Sequence, residues 1–256
     1  MNRILFSQEE AQADTVVKLT DFRAEHIRKV LRSKEGDLLQ TGVINGPIGI
    51  SRVERIADEG IWLRPHHTQS APEPWMDLLL AVPRPKELRR LWAQLAALGV
   101  GRIVILSAFR AERNYFSSQW VAPAFYTPLL IEGLMQAGAS RLPEVHIRKL
   151  FKPFVEDELE GMFPKTMRLL AHPGETMQCR VEVPDASCRP LLAVGPEGGW
   201  TDYERLTLIE HGFIPFSLGE RTLRTSTATI ALIAALMVQF SPQAKKKREN
   251  PLTEPV

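Results

Sequence analysis

Residues 191–236 read LLAVGPEGGWTDYERLTLIEHGFIPFSLGERTLRTSTATIALIAAL, and the order of their parts decides the fold. The run Leu191–Val194 is short and wholly apolar, as a strand buried on both faces is. It delivers Gly195-Pro196-Glu197-Gly198-Gly199, and Thr201-x-x-Glu204 directly behind has the form of a capping box that opens a helix. The glycines therefore occupy a tight strand-to-helix turn, where backbone N–H and C=O groups can approach a ligand with no side chain in the way. A second run, Phe213–Leu218, ends at Gly219, and Leu223-Arg224-Thr225-Ser226-Thr227-Ala228 leads into a helix rich in Ala, Ile and Leu. One hydroxyl suffices for an N-cap, so three of them beside an arginine serve either as surplus caps with an interface cation or as groups for a ligand. Ligands of open α/β sheets gather beyond the carboxyl ends of the strands, and two glycine loops at strand ends fit that rule. The dinucleotide fingerprint G-x-G-x-x-G is absent, and no Gly-Lys-Ser/Thr marks a phosphate loop.

Working outward, Met76–Val82 reads as a strand and Lys86–Leu98 places Leu88, Leu91, Trp92, Leu95 and Leu98 at helical spacing before Gly99. Ile103–Leu106 reads as the next buried strand, which completes a βαβ unit. A helix over Pro123–Gln136 and a strand at Leu169–Ala171 continue the alternation. Strands alternating with helices predict an α/β domain with a mostly parallel sheet covered on both faces. Toward the N-terminus, Phe22, Ile27, Val30 and Leu31 fall near one face of a helix over Asp21–Leu31, with Arg28 and Arg32 on the other. Leu38–Val43, a turn at Asn45-Gly46-Pro47, Ile48–Ile56 and Ile61–Leu63 read as short strands. Ala71-Pro72-Glu73-Pro74 breaks the pattern as a linker does. The expected division is a small β-rich domain over 1–70, an α/β domain over 71–243, and a basic tail over 244–256 that has nothing apolar left to pack.

Composition narrows the function classes. With 256 residues, 44% of them hydrophobic and a formal charge of +2, the chain holds one or two cores and is only mildly basic. The longest apolar run, Ala228–Phe240, falls short of the ~18 residues that span a bilayer. Met1–Glu10 offers only Ile4, Leu5 and Phe6 as an apolar stretch, too little for a secretory signal. A cytoplasmic protein without a membrane partner is expected. Cys179 and Cys188 form no Cys-x-x-Cys pattern, so both are expected to be plain thiols and no metal site is expected. Positive charge is clustered instead, in Arg23, Arg28, Lys29, Arg32 and Lys34, and again in Lys245–Arg248. Such clusters suit a phosphate backbone.

GPEGG followed by LG-x-x-x-LRT-x-T-A resembles the RsmE family of 16S ribosomal RNA uridine N3-methyltransferases, members of the SPOUT superfamily. The likeness covers nearly the whole chain: His26–Arg32 with Gly36-Asp37, then Gln136-x-Gly138-x-x-Arg141-Leu142-Pro143-Glu144, then Leu170-Ala171-His172-Pro173, each in the family's order. The resemblance implies an N-terminal PUA-like RNA-binding β-barrel, a SPOUT domain with a C-terminal deep trefoil knot, and a homodimer. It implies S-adenosylmethionine as cofactor, held by Leu170, His172, Gly195, Pro196, Glu197, Gly198, Gly199, Leu218, Gly219, Leu223, Arg224, Thr225 and Ala228. The implied partner is 16S ribosomal RNA or the assembled small subunit, met by Arg23, His26, Arg28, Lys29, Arg32 and Arg141. Arg224 is expected to support charge on the uridine imide, with Glu197 or Thr227 orienting the base. The chain departs from the family where Ser226 stands for a Glu, Gln94 and Ala97 for a Lys and a Glu, and Ala139 for an Arg. Those departures touch the substrate side and leave the cofactor loops whole. Rival readings are a SPOUT enzyme acting on another ribosomal or transfer RNA nucleotide and a non-catalytic RNA-binding protein that keeps a nucleoside pocket. A nicotinamide-dependent dehydrogenase lacks its fingerprint here.

Overall fold

The computed structural model describes residues 1–11, 16–164, 166–173 and 189–240. The expected tail, 244–256, and both cysteines lie outside the described residues. The chain forms two compact units, Met1–Glu73 with Pro128–Leu142, and Pro74–Thr127 with Pro143–Val256. The first boundary falls in the Ala71–Pro74 linker. Pro128–Leu142 clusters with the N-terminal unit, although a cut at residue 70 would give it to the other.

In the first unit, β1 (Ile4–Phe6), β2 (Val17–Leu19), β3 (Leu38–Val43), β4 (Ile48–Ala57) and β5 (Gly60–Gln69) form one sheet in the order β1-β3-β4-β5-β2. β1 and β2 are strands the pattern reading did not mark, each only three residues long. Both edge strands put their apolar residues, Ile4 and Phe6 with Val17 and Leu19, into the same core as Val53, Ile61 and Leu63. A sheet whose two edges share one core is curled, which gives the half-barrel of a PUA-like domain. β5 runs to Gln69 rather than stopping at Leu63, because its polar half is held in register against β4 as far as Ile48. The 128–142 segment is fastened here by its backbone: Asn2 N and Arg3 N both donate to Met135 O, and Leu142 N donates to Asn45 Oδ1.

The N-terminal helix differs from its expected form. Asp21 caps α1 (Phe22–His26) by accepting from Arg23 N, but Ile27–Leu31 continues as a π-turn that closes on Arg32 at φ 52°. The wider turn changes the phase of the side chains. Only Ala24 and Ile27 are buried, while Phe22, Val30 and Leu31 of the expected apolar face are exposed.

The second unit is a six-stranded parallel sheet, which is the expected α/β class. β6 (Met76–Ala81), β7 (Val100–Leu106), β8 (Glu144–Arg148), β9 (Arg168–Ala171), β10 (Leu191–Val194) and β11 (Phe213–Phe216) stand in the order β11-β9-β10-β6-β7-β8. β6 and β10 are buried along their whole length, which explains their unbroken apolar sequence. α2 (Pro85–Ala97) buries Leu88, Leu91, Trp92 and Leu95, the residues whose spacing marks it as helical. α3 (Pro123–Ala137) carries Pro128 inside it, at the residue where the two units divide. α4 (Phe151–Pro153), a π-turn at Phe154–Glu158 and α5 (Leu159–Met162) make one irregular helical stretch before β9. α6 (Asp202–Glu210) and α7 (Thr225–Phe240) follow β10 and β11. Chain order and spatial order diverge around β9 and β10, so the loops leaving β9, β10 and β11 emerge side by side at one edge of the sheet.

Candidate functional site

Each of those three loops is shaped by local chemistry. Beyond β10, Gly199 N donates to Pro196 O at 2.8 Å to close the turn, and Gly199 takes φ +71°, which a side-chain-bearing residue adopts only with strain. The Thr201–Glu204 capping box is present in both directions. Beyond β11, Ser217 Oγ accepts from Gly219 N and donates to Gly219 O, both at 3.1 Å, with Gly219 at φ +111°. Beyond β9, His172 N donates to Phe216 O at 3.2 Å, which ties the first loop to the third. Thr225, at the start of α7, donates from Oγ1 to Gly195 O at 3.4 Å and links the second loop to the third.

Between them lies a cleft of about 290 Å³, lined among others by His172, Gly195–Gly199, Leu218, Gly219, Leu223, Thr225 and Ala228. That size is near the lower end of small-ligand sites and suits a nucleoside. Of the thirteen residues expected to hold a cofactor, eleven line this cleft. Leu170 is fully buried within β9, behind the wall rather than on it, and Arg224 stands exposed between the lining residues Leu223 and Thr225. Of the expected catalytic groups, Glu197 lines the cleft and Thr227 does not. Glu197 Oε1 accepts from Arg84 N at 3.1 Å, so its carboxylate is held toward the β6–α2 turn. From the same turn region, Glu87 accepts a hydrogen bond from Ser226 Oγ at 2.7 Å.

Sequence reading missed several lining residues. Trp200 follows GPEGG directly, is 5% exposed, and stacks so close to Gly195 that a Cβ there would lie 3.1 Å from the indole nitrogen. Phe216, Ser217, Arg221 and Leu232 extend segments already singled out. Arg110 is different in kind. It stands in the loop after β7 and donates from Nη1 to Gly198 O at 2.8 Å, so it clamps the glycine turn from a distant part of the chain. Its neighbour Phe109 donates its N–H to Glu204 Oε1 at 2.7 Å. No local signal in the sequence marks either contact.

The cleft fits an adenosyl sulfonium ligand on three counts. A Cβ at Gly199 or Gly219 would meet no atom within 4 Å, so these lining positions leave space open. Leu218, Leu223 and Ala228 give the cleft apolar walls, which suit a flat base and a thioether-like sulfur. His172 Nδ1 and Trp200 Nε1 are buried polar atoms with no partner among the described residues. Among those residues no three His, Cys, Asp or Glu side chains come together as a metal ion would need. No described helix is long and apolar enough to cross a membrane.

In the first unit, the residues expected to meet RNA are unequally placed. Arg23 is committed to Glu10, to Asp21 and to Leu5 O, and its side chain is only 11% exposed. Burial alone would push its guanidinium down, but the bonds to Glu10 and Asp21 outweigh it and hold the pKa above the usual arginine range. Arg28 donates to the carbonyls of Ala57 and Gly60 and so caps the β4–β5 turn. Lys29 makes an exposed pair with Glu25, Arg141 is paired with Glu73, and His26 Nε2 is buried without a partner among the described residues. Arg32 is exposed.

The comparisons with known proteins agree with this geometry. A family model described as RNA methyltransferase domain matches residues 71–237. The ribosomal RNA small subunit methyltransferase E of Treponema pallidum is 29% identical, over 99% of this chain and 98% of that protein. The crystal structure of a ribosomal RNA small subunit methyltransferase E from Neisseria gonorrhoeae bound to S-adenosyl methionine superposes with a TM-score of 0.74 at 23% identity, covering 94% of this chain and 98% of that one. A methyltransferase from Legionella pneumophila in complex with bound SAM gives 0.68 at 24% identity, over 93% and 97%. The fold is thus the PUA-like and SPOUT pairing, and with a family model spanning most of its length the chain belongs to the RNA methyltransferase family, in its RsmE group.

Proposed function

We propose that this protein transfers the methyl group of S-adenosylmethionine to N3 of a uridine in 16S ribosomal RNA. The observation that carries the reading is the single cleft enclosed by the loops after β9, β10 and β11, in a chain of this family. When bound, S-adenosylmethionine supplies an electrophilic methyl carbon on a sulfonium sulfur. The cleft's glycine turns offer backbone groups for the polar parts of the ligand, and Leu218, Leu223 and Ala228 exclude water from the rest. Methyl transfer is an in-line displacement, so alignment of the attacking nitrogen is the main task left to the protein. Uridine N3 must also lose a proton, and its charge then spreads to the neighbouring oxygens. Arg224, exposed between the lining residues Leu223 and Thr225, is the group offered to support that charge. Glu197, whose carboxylate is anchored by Arg84 N, and the α7 hydroxyl of Thr227 are the groups offered for orienting the base.

On this reading the protein works in the cytoplasm as a homodimer, α7 is threaded as a trefoil knot, and the domains are the barrel of 1–70 and the SPOUT domain of 71–243. Sedimentation equilibrium checks the dimer by a mass twice that of the chain. The activity is tested by incubating the protein with radiolabelled S-adenosylmethionine and small ribosomal subunits, then mapping the labelled base. Label on N3 of one uridine supports the proposal. Label on another nucleotide overturns the substrate assignment, and cofactor uptake without transfer to any RNA overturns the activity.

A further inference from the structure

The helix expected to meet RNA has spent two of its cations inside the first unit, on Glu10 and on the β4–β5 turn. The outer face of the same sheet offers a different surface. On β2, Val17 and Leu19 point into the core, so Lys18 between them points out; on β5, Ile61 and Leu63 do the same for Trp62. Across the sheet Lys18 pairs with Trp62, and Trp62 pairs with Arg55 of β4. Plain alternation from the buried Val53 would turn Arg55 inward. A bulge between Val53 and Arg55 brings it onto the outer face instead.

The result is a row of cation, indole and cation. Lys18 Nζ lies 5.0 Å from the Trp62 ring centroid and Arg55 Cζ lies 4.7 Å from it. Because β5 stands between β4 and β2, the two cations reach the indole from opposite sides. One step along the same face, Arg64 of β5 sits directly opposite Arg52 of β4. Like charges facing each other across an antiparallel pair lower the stability of the free protein. Glu54 bonds Arg64 and also feels the charge of Arg52, and Glu59 pairs with Arg55, so two carboxylates face four cations and Lys18 has no ion-pair partner among the described residues. A built surface of this kind, costly when empty, is relieved by a polyanion. An aromatic edge among the cations favours one that also presents unstacked bases.

We propose that this face binds the protein's RNA substrate as a single-stranded segment, with phosphates on Lys18, Arg52 and Arg55 and a nucleobase against Trp62. The inference rests on the RNA methyltransferase reading above, and names where that substrate is held. The test uses full-length protein and two variants, Lys18→Glu/Arg55→Glu and Trp62→Ala. Binding is followed by fluorescence anisotropy with a labelled mixed-sequence single-stranded RNA, and with a hairpin duplex of equal length, across a potassium chloride series. The double variant is expected to bind the single strand at least about tenfold more weakly at low salt, with its salt slope reduced by about 1.4 for two lost phosphate contacts. Trp62→Ala should weaken binding about fivefold or more and leave the slope unchanged. S-adenosylmethionine uptake, measured by calorimetry, should be untouched in both. Unchanged affinity and slope in the double variant, with the wild type still binding RNA and transferring methyl groups, would sink the surface and leave the enzyme reading standing. A wild type that takes up no cofactor and binds no RNA removes the reading and the surface with it. Equal losses on the hairpin overturn the single-strand assignment. If Trp62→Ala melts early by circular dichroism, the double variant decides alone, since both its positions are exposed.

Discussion

Arg110 and Gly198 are joined by a 2.8 Å hydrogen bond across 88 positions of sequence, from a guanidinium after β7 to a carbonyl in the turn after β10. A Cβ at Gly198 would press on Arg110 at 3.1 Å, so the two segments also approach closely there. The same guanidinium approaches Trp200 O at 3.4 Å. This contact fixes the glycine turn on the side away from the capping box. Arg110→Ala should raise the KM for S-adenosylmethionine about five- to tenfold, corresponding to a charged hydrogen bond of about 1–1.5 kcal/mol, and change kcat much less. Steady-state kinetics at saturating RNA separates the two parameters. A fall in kcat at unchanged KM would mean that the turn is held without the arginine.

Glu204 is 3% exposed and fully employed. Its Oε2 accepts from Thr201 N and Thr201 Oγ1, and its Oε1 accepts from Phe109 N, so one carboxylate fastens the helix start to the loop after β7. Glu204→Gln keeps one acceptor oxygen and turns an amide donor toward the other partners. The cost is expected at about 2–3 kcal/mol, with weakened cofactor uptake as both loops loosen. Differential scanning calorimetry with and without S-adenosylmethionine reads both effects. An unaltered melt would show that the capping box is dispensable.

These two contacts also mark what the sequence could and could not yield. GPEGG, Thr201-x-x-Glu204 and the LGERTLRT segment were legible because their chemistry is local: a turn, a cap and a helix start are set by residues a few positions apart. That Thr225 reaches Gly195 O, or that Arg84 N holds Glu197, depends on how β6, β9, β10 and β11 are shuffled in the sheet, and no periodicity records it. The N-terminal helix was misread for a related reason. A helical period of 3.6 assumes a regular helix, and the π-turn at Ile27–Leu31 breaks the phase just where Val30 and Leu31 were expected to turn inward. Arg23 looked like a surface cation because its partner Glu10 belongs to a different segment.

Gly199 is a position where backbone strain can be separated from crowding. It sits at φ +71°, and an added Cβ would touch nothing within 4 Å, so Gly199→Ala introduces strain alone. A cost of about 1–2 kcal/mol is expected, and a fall in Tm of about 2–8 °C. Gly199→Asn should lose less, since asparagine tolerates the left-handed region better than alanine does. Thermal melts of the two variants give the comparison. Equal losses would mean that the cleft is sensitive to side-chain volume at this point rather than to conformation.

The first unit should lose stability in mild acid through His67. Burial holds its imidazole pKa below the ordinary value, and the charges of Arg3 and His66 add to the effect. Its Nε2 lies 2.8 Å from Thr41 Oγ1, which in turn lies 2.7 Å from the buried Ser51 Oγ, while Arg3 donates to Thr41 O. The folded chain therefore resists a proton that the unfolded chain accepts at about pH 6.5. Below that point the unfolded state binds more protons, so stability falls as the pH drops through it, and above it this group contributes no pH dependence. His67→Gln, which cannot charge, should flatten the slope between about pH 7 and about pH 5.5 while leaving that of the acidic groups at lower pH. Urea titrations across that window, followed by the fluorescence of Trp62 in a background where the other tryptophans are replaced by phenylalanine, report on this unit alone. A slope as steep in the variant as in the wild type would assign the acid sensitivity of that window to groups other than His67, and not to Glu10 or Asp21, whose carboxyls are held low and lose their contribution only at lower pH. For Glu10 the bond from Arg23 is the main cause; for Asp21 burial, the largest single effect, acts upward, and the bonds and charge of Arg23 together outweigh it.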